Sequence, residues 1–583
     1  MKQERLYPLI FIGLSVFTWL YLILRAIGNP LVFDEATSYF LFIKNGTFWP
    51  GQAFWSANNH LLNSLLAYFS TKVFGVEEWA LRLPNLVAYP FFALFGFRLM
   101  RQLKSAVLRW WALVLFFSLH GIWEYFAFAR GYGLMLSFML ASLWYLRESY
   151  YQFQIKTYLW LIFSSLLALL SNASAFPLFG LLLASALFLI ARADIKLLSK
   201  IVLSLLSIIP LAFSFWWTWQ LKKHQELYYG GERDFVNDSL VSIKTMVLNP
   251  SIHVDIFLAG GALFLIALII SKAWQNTKNR PVPTWLAACF ILITAFYPIG
   301  HYLIELKFPY DRALIYWLAF GLIAKLAWLD QEYIAGRKSL LLFLGWTLIF
   351  PILYPTKLSL DHASFATWSK EQIPKHFYLD RTSSLKKEPS IGGSYLLAPQ
   401  WNFLQQKHQA QLPAFQVTDS PLLEIRLSEK KDWPKWQTYY SIIDSSANGL
   451  YLLQRLNPSV KSKLSSLELP KLVHHQANQL IYQSSKHLKV DAISSQLMIQ
   501  AEQPLNKLAI ALQVLDKEGK QVYWQAFRAR DYLSNKNDWQ AWRLFVILKD
   551  LAREGEEIKL FIWNPENESF SLKASDWTLW ELN

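Results

Sequence analysis

Residues 28 to 43, GNPLVFDEATSYFLFI, directly follow the first long apolar run of the sequence. They place two adjacent carboxylates, Asp34 and Glu35, beside a segment that is long enough to cross a bilayer core. Acidic side chains so close to hydrocarbon cost free energy, so they are functional candidates by default. The stretch therefore predicts a membrane architecture, and it also supplies the first residues to consider for chemistry.

Composition indicates a membrane protein beyond this stretch. Of 583 residues, 54% are hydrophobic and 16% are aromatic. The apolar residues form runs of about 20 until roughly residue 355, after which the sequence is ordinarily polar. We predict a polytopic α-helical membrane protein with about eleven spans and a soluble C-terminal region. The predicted spans are 7–27, 83–100, 107–123, 131–146, 158–171, 175–191, 201–219, 254–271, 284–303, 313–329 and 339–354.

The net charge of +15 has a topological explanation. Lys and Arg collect at alternate ends of the apolar runs, which is typical of the cytoplasmic side of a membrane protein. This pattern argues against a nucleic-acid partner. It predicts a cytoplasmic N-terminus and an extracytoplasmic C-terminal region.

Three domains follow from the change in composition. Residues 1–355 are the membrane domain, residues 356–480 are a mixed α/β connecting region, and residues 481–583 contain short alternating strands. The turn DKEGK, residues 516–520, is typical of a hairpin because Gly519 accepts a positive φ. Strands at this spacing predict a β-sandwich at the C-terminus.

The predicted topology brings ionisable residues from distant parts of the sequence to one external membrane face. Such a face suits a lipid phosphate whose tail stays in the bilayer. Breaking a sugar–phosphate bond leaves an anion that an arginine fork can bind, and the attacking hydroxyl must give its proton to a base such as a carboxylate. The residues concerned are Asp34, Glu35, His60, Glu77, Glu78, Arg82, Glu124, Arg130, His301, Glu305, Lys307, Asp311, Arg312 and the loop 220–252.

The motifs FDEA (Phe33–Ala36), LRLPNL (Leu81–Leu86) and ARGY (Ala129–Tyr132), together with Arg312 before a late span, carry a family resemblance. The sequence resembles the C-type (GT-C) glycosyltransferase superfamily, in particular the bacterial relatives of protein O-mannosyltransferases and of the lipid A aminoarabinose transferase. The resemblance implies inverting transfer of a sugar from a polyprenyl phosphate to a hydroxyl acceptor. It implies that Asp34 is the catalytic carboxylate and that Arg312 lies near the donor phosphate.

The resemblance also implies a place and partners. The protein is expected in the bacterial cytoplasmic (inner) membrane, with a periplasmic C-terminal region, a lipid-linked sugar as donor and a glycan, lipid or protein as acceptor. No cofactor is assigned, and a role for a divalent metal stays open. Glu35, His60, Arg82, Arg130, His301 and Lys307 are expected to bind substrate beside Arg312. The C-terminal strands resemble a carbohydrate-binding sandwich.

Structural alternatives stay open for these residues. Asp34 suits the N-cap of a helix that starts at Glu35 or Ala36, and Arg82 and Arg130 suit snorkelling to the interface. Arg312 follows an aspartate with which it could pair. The two histidines, His60 and His301, suit hydrogen-bonded structural positions, and the YYGG of residues 228–231 suits a lid or a turn.

A non-catalytic protein that binds or translocates lipid-linked glycans is the alternative function. A transporter carries polar residues near the bilayer centre in several spans. The candidates here gather at one surface, which favours an enzyme.

Overall fold

The chain forms two units. The first comprises Met1–Gly28 and Leu41–Leu360, and the second comprises Asn29–Phe40 and Asp361–Asn583. The FDEA stretch therefore belongs to the unit that holds the C-terminal region. A computed structural model describes residues 2–50, 53, 55–227, 229–247, 281–338, 344–345, 347–386, 390–409, 412–457, 461–467, 478–483, 490–501, 505, 507–533, 538–549, 551, 556–565 and 567–582.

Helix α1 (Lys2–Gly28) opens the first unit, and the short helix α2 (Phe33–Ser38) belongs to the second. The remaining helices of the first unit follow the apolar runs. They are α3 (Leu61–Phe74), α4 (Glu78–Met100), α5 (Ala106–Ser118), α6 (His120–Trp123), α7 (Tyr132–Tyr151), α8 (Ile155–Ser171), α9 (Phe176–Arg192), α10 (Leu197–Lys223), α11 (Val241–Val247), α12 (Pro281–Ile304), α13 (Ile315–Ile334) and α14 (Ile349–Leu353).

Six helical segments of the described residues are long and apolar enough to cross a membrane, or seven if one bent pair counts as a single span. The multi-pass architecture predicted from the sequence is thus supported, but the count of eleven is not confirmed. The predicted span 254–271 and residues 339–343 and 346 of the predicted span 339–354 lie outside the described residues, and 158–171 corresponds to a shorter helix of 17 residues. The segments are Arg5–Gly28, Glu78–Met100, Ala173–Arg192, Leu197–Lys223, Trp285–Ile304 and Asp311–Ile334, and the bent pair is Ala106–Ser118 with His120–Ala127.

Helix α4 begins earlier than its apolar run indicates. It starts at Glu78 rather than at residue 83, and it continues through Pro84 and Pro90. Proline is tolerated in a membrane helix because neighbouring helices satisfy the backbone groups that it leaves without partners. The arginine of the LRLPNL motif, Arg82, is thereby placed in the second turn of a packed helix, where it is fully buried.

The second unit contains a mixed sheet and two antiparallel sheets. The mixed sheet has the order β2-β1-β3-β5-β4, with β1 parallel to β2 and β3, and helix α18 connects β1 to β2. Its strands are β1 (Ile391–Gly393), β2 (Phe415–Val417), β3 (Ile425–Glu429), β4 (Tyr440–Ser445) and β5 (Leu450–Arg455). Its helices are α15 (Ala366–Ser369), α16 (Lys375–Leu379), α17 (Thr382–Leu385), α18 (Ala398–His408) and α19 (Trp433–Trp436), and α20 (Ala529–Tyr532) lies further along the chain.

The C-terminal part is β-rich, as predicted. Two four-stranded sheets, β10-β9-β12-β7 and β11-β8-β13-β6, contribute to one apolar core. Burial alternates along β12, as expected for a strand with one face toward a core. The predicted hairpin is present at Asp516–Lys520, where Gly519 has φ +82°. The strands are β6 (Lys461–Leu467), β7 (Asn478–Gln483), β8 (Ala492–Gln500), β9 (Ala509–Leu515), β10 (Gln521–Arg528), β11 (Gln540–Ile547), β12 (Glu557–Trp563) and β13 (Ser571–Leu582).

Candidate functional site

The two carboxylates of FDEA have different structural positions. Helix α2 begins at Phe33 with Val32 at the N-cap, so Asp34 is the second helical residue. The N-cap interpretation of Asp34 is therefore wrong. Glu35 instead completes the helix start, because its Oε2 accepts a hydrogen bond of 3.1 Å from the backbone N–H of Val32. Glu35 is buried and Asp34 is half-buried.

In the first unit, Arg312 lies in a 3₁₀ turn, Asp311–Leu314, that leads directly into helix α13. Its guanidinium carbon lies 4.8 Å from the centre of the Tyr229 ring, a cation–π distance. The Tyr229 hydroxyl donates to Asp311 Oδ2 at 3.1 Å and lies 3.4 Å from Arg312 Nη1. A phenol from the 220–252 loop thus contacts both Asp311 and Arg312.

Asp311 itself has φ +44°, in the left-handed region that a non-glycine residue seldom adopts. Such backbone conformations persist only where the surroundings enforce them, and they collect at functional sites. The backbone N–H of Asp311 donates to Ser242 Oγ at 2.8 Å, which is one of the contacts that fix this turn.

The turn before Arg312 is joined to the long loop by backbone pairing. Gly231 and Phe308 exchange two hydrogen bonds of 2.8 and 2.9 Å. Lys307 Nζ lies 2.9 Å from Glu232 Oε1, and His301 Nδ1 lies 2.8 Å from the carbonyl oxygen of Leu306. The structure therefore places Lys307 and His301 in the framework of the turn, where they hold its shape.

His60 and Arg130 belong to the same electrostatic neighbourhood as Arg312. Burial holds the pKa of His60 well below its usual range, and the positive charges of Arg130 and Arg312 act in the same direction. The His60 imidazole is therefore neutral, and its ring lies 5.5 Å from that of Tyr132. Arg130 Nη1 donates to Asn58 Oδ1, so the asparagine that precedes Asn59 and His60 orients this guanidinium.

Arg82 lies in a different environment from His60, Arg130 and Arg312. Its Nη1 donates to the carbonyl oxygen of Ala26 at 3.1 Å, and its guanidinium carbon lies 5.6 Å from the Phe128 ring centre. It thereby bonds to the last turn of α1, where carbonyl groups have no partner within the helix.

The structure contains a buried ion cluster that the sequence did not indicate as a group. Arg25 Nη2 pairs with Glu124 Oε1, and His120 Nδ1 lies 3.2 Å from Glu124 Oε2. Arg25 and Glu124 are both fully buried. An arginine in the last turn of an apolar helix is usually interpreted as interfacial, so only the spacing of His120 and Glu124, four residues apart on one helical turn, offered a signal.

Lys325 was also missed. It is 2% exposed and lies in helix α13, well inside a segment that could span a membrane. Over the part of the chain that the structure describes, no three His, Cys, Asp or Glu side chains come together as a metal-ligand group.

No protein-family model matches the sequence, and no curated protein is similar to it in sequence. Three solved structures are similar in fold. ArnT from Cupriavidus metallidurans, bound to undecaprenyl phosphate, is 12% identical with a TM-score of 0.39; the match covers 77% of this chain and 97% of ArnT.

Arabinosyltransferase EmbB from Mycobacterium smegmatis is 10% identical with a TM-score of 0.37, over 98% of this chain and 64% of EmbB. The Archaeoglobus fulgidus oligosaccharyltransferase, tethered to an acceptor peptide, is 9% identical with a TM-score of 0.37, over 98% of this chain and 96% of that one. All three are GT-C glycosyltransferases, the superfamily that the sequence resembles. Every TM-score lies below 0.5, so we base the function on the residues of this chain.

Proposed function

We propose that the chain is an integral-membrane inverting glycosyltransferase that moves a sugar from a polyprenyl phosphate to a hydroxyl acceptor. The carrying observation is the cationic cluster of the first unit. Arg312 directly precedes an apolar helix of membrane-spanning length, and its charge and that of Arg130 both act on the buried His60. Concentrated positive charge at the end of a span suits an anion that is anchored in lipid.

The chemistry requires one base and one anion-binding group. The acceptor oxygen attacks the anomeric carbon opposite the phosphate, the bond from that carbon to the phosphate oxygen breaks, and the electron pair leaves with the polyprenyl phosphate. The proton of the acceptor hydroxyl goes to Asp34, which we assign as general base. Arg312 binds the phosphate oxygens through its fork, and Arg130 adds positive charge.

The other site residues take supporting roles in this proposal. Neutral His60 can donate a hydrogen bond from a ring N–H. The Tyr229 ring and hydroxyl hold Arg312 beside Asp311. Lys307 and His301 hold the turn that presents Arg312. Arg82 fixes the end of α1, and Glu35 holds the start of the helix that carries the base.

The prenyl chain of the donor needs an apolar environment. An apolar pocket with a volume of about 90 Å³ in the first unit is lined by side chains of α4, α5 and α13, among them Phe92, Phe116 and Leu322, and by Leu119 directly after α5. We assign part of the lipid chain to this pocket, because its lining is apolar like the bilayer core from which the chain comes. The protein would then act in the bacterial inner membrane with its C-terminal region in the periplasm.

Buried Lys325 favours a second candidate, a protein that binds or translocates lipid-linked glycans. A charged residue within a span is costly and often marks a transport pathway. The two functions differ in their product, because transport moves the intact donor and forms no glycosidic bond.

Membranes that contain the wild-type chain should be supplied with a panel of polyprenyl phosphates bearing labelled sugars. We expect label in a new glycoside, release of polyprenyl phosphate, and a product whose anomeric configuration, determined by NMR, is opposite to that of the donor. Retained configuration would contradict inversion. Label that crosses the bilayer on an intact donor, with no glycoside formed, would support the transport alternative.

A further inference from the structure

Two side chains from the start of the C-terminal region hold the backbone that carries Asp34. Glu371 Oε2 accepts a hydrogen bond of 3.2 Å from the backbone N–H of Phe33, and Gln372 Nε2 donates one of 2.7 Å to the carbonyl oxygen of Pro30. All these residues belong to the second unit. The first contact is made by the residue immediately before Asp34, and the second lies four residues before it.

Gln372 is itself fixed at both ends of its amide. Its side chain is fully buried, and its Oε1 accepts a hydrogen bond of 2.6 Å from the backbone N–H of Ala363. Because a buried amide that loses a partner costs about 1–3 kcal/mol, this arrangement strongly favours one conformation. The orientation of the Gln372 amide, and with it the bond to Pro30, is therefore determined by the C-terminal region.

The backbone around Glu371 and Gln372 is held from the mixed sheet. Asn448, in the β4–β5 turn, donates from Nδ2 to the carbonyl oxygens of Ser369 and Gln372 at 2.7 and 2.8 Å. Gln400 of helix α18 accepts from the N–H of Ile373 at 2.6 Å and donates to its carbonyl at 3.1 Å. These bonds connect the hairpin and α18 to the segment that contacts Pro30 and Phe33.

Aromatic contacts hold the segment of residues 29–40 on either side of Asp34. The Phe33 ring lies 5.9 Å from that of Tyr395, in the loop between β1 and α18, and the Tyr39 ring lies 5.3 Å from that of Phe403 on α18. Both pairs meet edge to face, a favoured geometry for aromatic rings. The segment that carries Asp34 is thus held by the C-terminal region on both sides of this residue.

We infer that Glu371 and Gln372 are positioning residues for the general base, and that the C-terminal region is part of the machinery that aligns Asp34. The inference rests on the proposed role of Asp34. A general base has to lie within hydrogen-bond reach of the acceptor hydroxyl. Displacement of a reacting group by about 1 Å can cost up to about 100-fold in rate, so two bonds to its backbone are enough to matter.

Glu371→Ala removes the acceptor of the Phe33 N–H, whereas Glu371→Gln retains an oxygen that can accept it. We expect the Ala variant to lower kcat by about tenfold to 100-fold with an unchanged KM for the lipid donor, and the Gln variant to restore most of the rate. Glu557→Ala, which removes a partly exposed carboxylate elsewhere in the same unit, is the matched control and should keep wild-type kcat.

A second measurement reports on position without activity. In hydrogen exchange on the full-length solubilised protein, Glu371→Ala should accelerate exchange at Phe33 and in residues 29–40 while residues 398–408 of α18 keep wild-type protection. If Glu371→Ala exchanges faster throughout the protein, it is globally destabilised, and Glu371→Gln becomes the informative variant. Wild-type exchange at Phe33 together with wild-type kcat in Glu371→Gln then supports the inference. Unchanged exchange at Phe33, or unchanged kcat in Glu371→Ala, overturns it.

Asp34→Asn separates this inference from the proposed function. If Asp34→Asn keeps normal transfer, the assignment of the base is wrong and the positioning role falls with it. If Asp34→Asn abolishes transfer while Glu371→Ala behaves as wild type, only the positioning inference is wrong.

Discussion

Replacement of Arg312 by lysine tests the phosphate-binding role with the least structural change. Lysine keeps the positive charge beside Tyr229 but loses the planar fork that binds two phosphate oxygens at once. The interaction with the half-exposed Tyr229 ring is worth only about 0.5–1 kcal/mol, so the fold should tolerate the exchange.

The magnitude follows from the number of bonds that are lost. A hydrogen bond to a charged partner contributes about 1.5–3 kcal/mol, and lysine can replace one of the two that the fork makes. Loss of the other lowers kcat/KM by about tenfold to 150-fold, since each 1.36 kcal/mol is a factor of ten. Arg312→Ala, which removes both bonds and the charge, should cost more than Arg312→Lys.

The assay is the initial rate of transfer from a labelled polyprenyl-phosphate sugar, with kcat/KM determined for the donor. Arg233→Lys is the matched control, because Arg233 lies in the loop that carries Tyr229 and its side chain is exposed. We expect Arg233→Lys to keep wild-type kcat/KM. Wild-type kcat/KM in Arg312→Ala would refute the phosphate-binding role, and an equal loss in Arg233→Lys would show that the effect is not specific to Arg312.

Three other predictions concern stability and acceptor binding. Burial lowers the pKa of His60 below its usual 6.5, so this imidazole takes up a proton at higher pH in the unfolded chain than in the folded one. The free energy of unfolding should therefore decrease as the pH falls below about 6.5. His60→Asn should weaken this pH dependence, measured by thermal unfolding at a series of pH values. Glu124→Gln removes the negative charge that pairs with the buried Arg25 and should destabilise the protein by about 3–5 kcal/mol, which is measured as a lower Tm. An unchanged Tm would contradict the structural importance of the Arg25–Glu124–His120 cluster. The ring of Trp524 lies 5.8 Å from that of Trp563 on the partly exposed face of the β10–β9–β12 sheet. If this face binds acceptor glycan, Trp524→Ala should weaken retention in affinity electrophoresis through envelope polysaccharide several-fold. Unchanged mobility would exclude this face as a glycan-binding surface.

Much of the helical architecture could be predicted from the sequence because it depends on local patterns. Apolar runs such as 7–27 and 201–219 coincide with α1 and α10, since a run long enough to cross a bilayer has to be helical to satisfy its own backbone. The first and last residues of the helices were harder to predict. Helix α4 starts at Glu78 because packing sets its first turn, whereas the sequence shows only where the apolar residues begin.

The candidate site could be predicted in its residue types but not in its contacts. The predicted topology assigns Arg312 and the 220–252 loop to one membrane face. The contact of the Tyr229 phenol with both Asp311 and Arg312, in contrast, depends on how two distant segments pair. The start of α2 was predicted two or three residues too late because Asp34 is a favourable N-cap by residue type, whereas Glu35 makes the bond to Val32. Such choices depend on side-chain geometry that no local pattern encodes.

Transfer by Asp34→Asn, measured beside Glu35→Gln, tests the central claim most directly. Asparagine preserves the shape of the side chain but cannot take the proton of the acceptor hydroxyl. We expect membranes that contain Asp34→Asn at wild-type abundance to form no detectable labelled glycoside from any polyprenyl-phosphate sugar that the wild type uses, while Glu35→Gln keeps part of the rate because its amide oxygen can still accept from Val32. Wild-type transfer by Asp34→Asn would contradict the account.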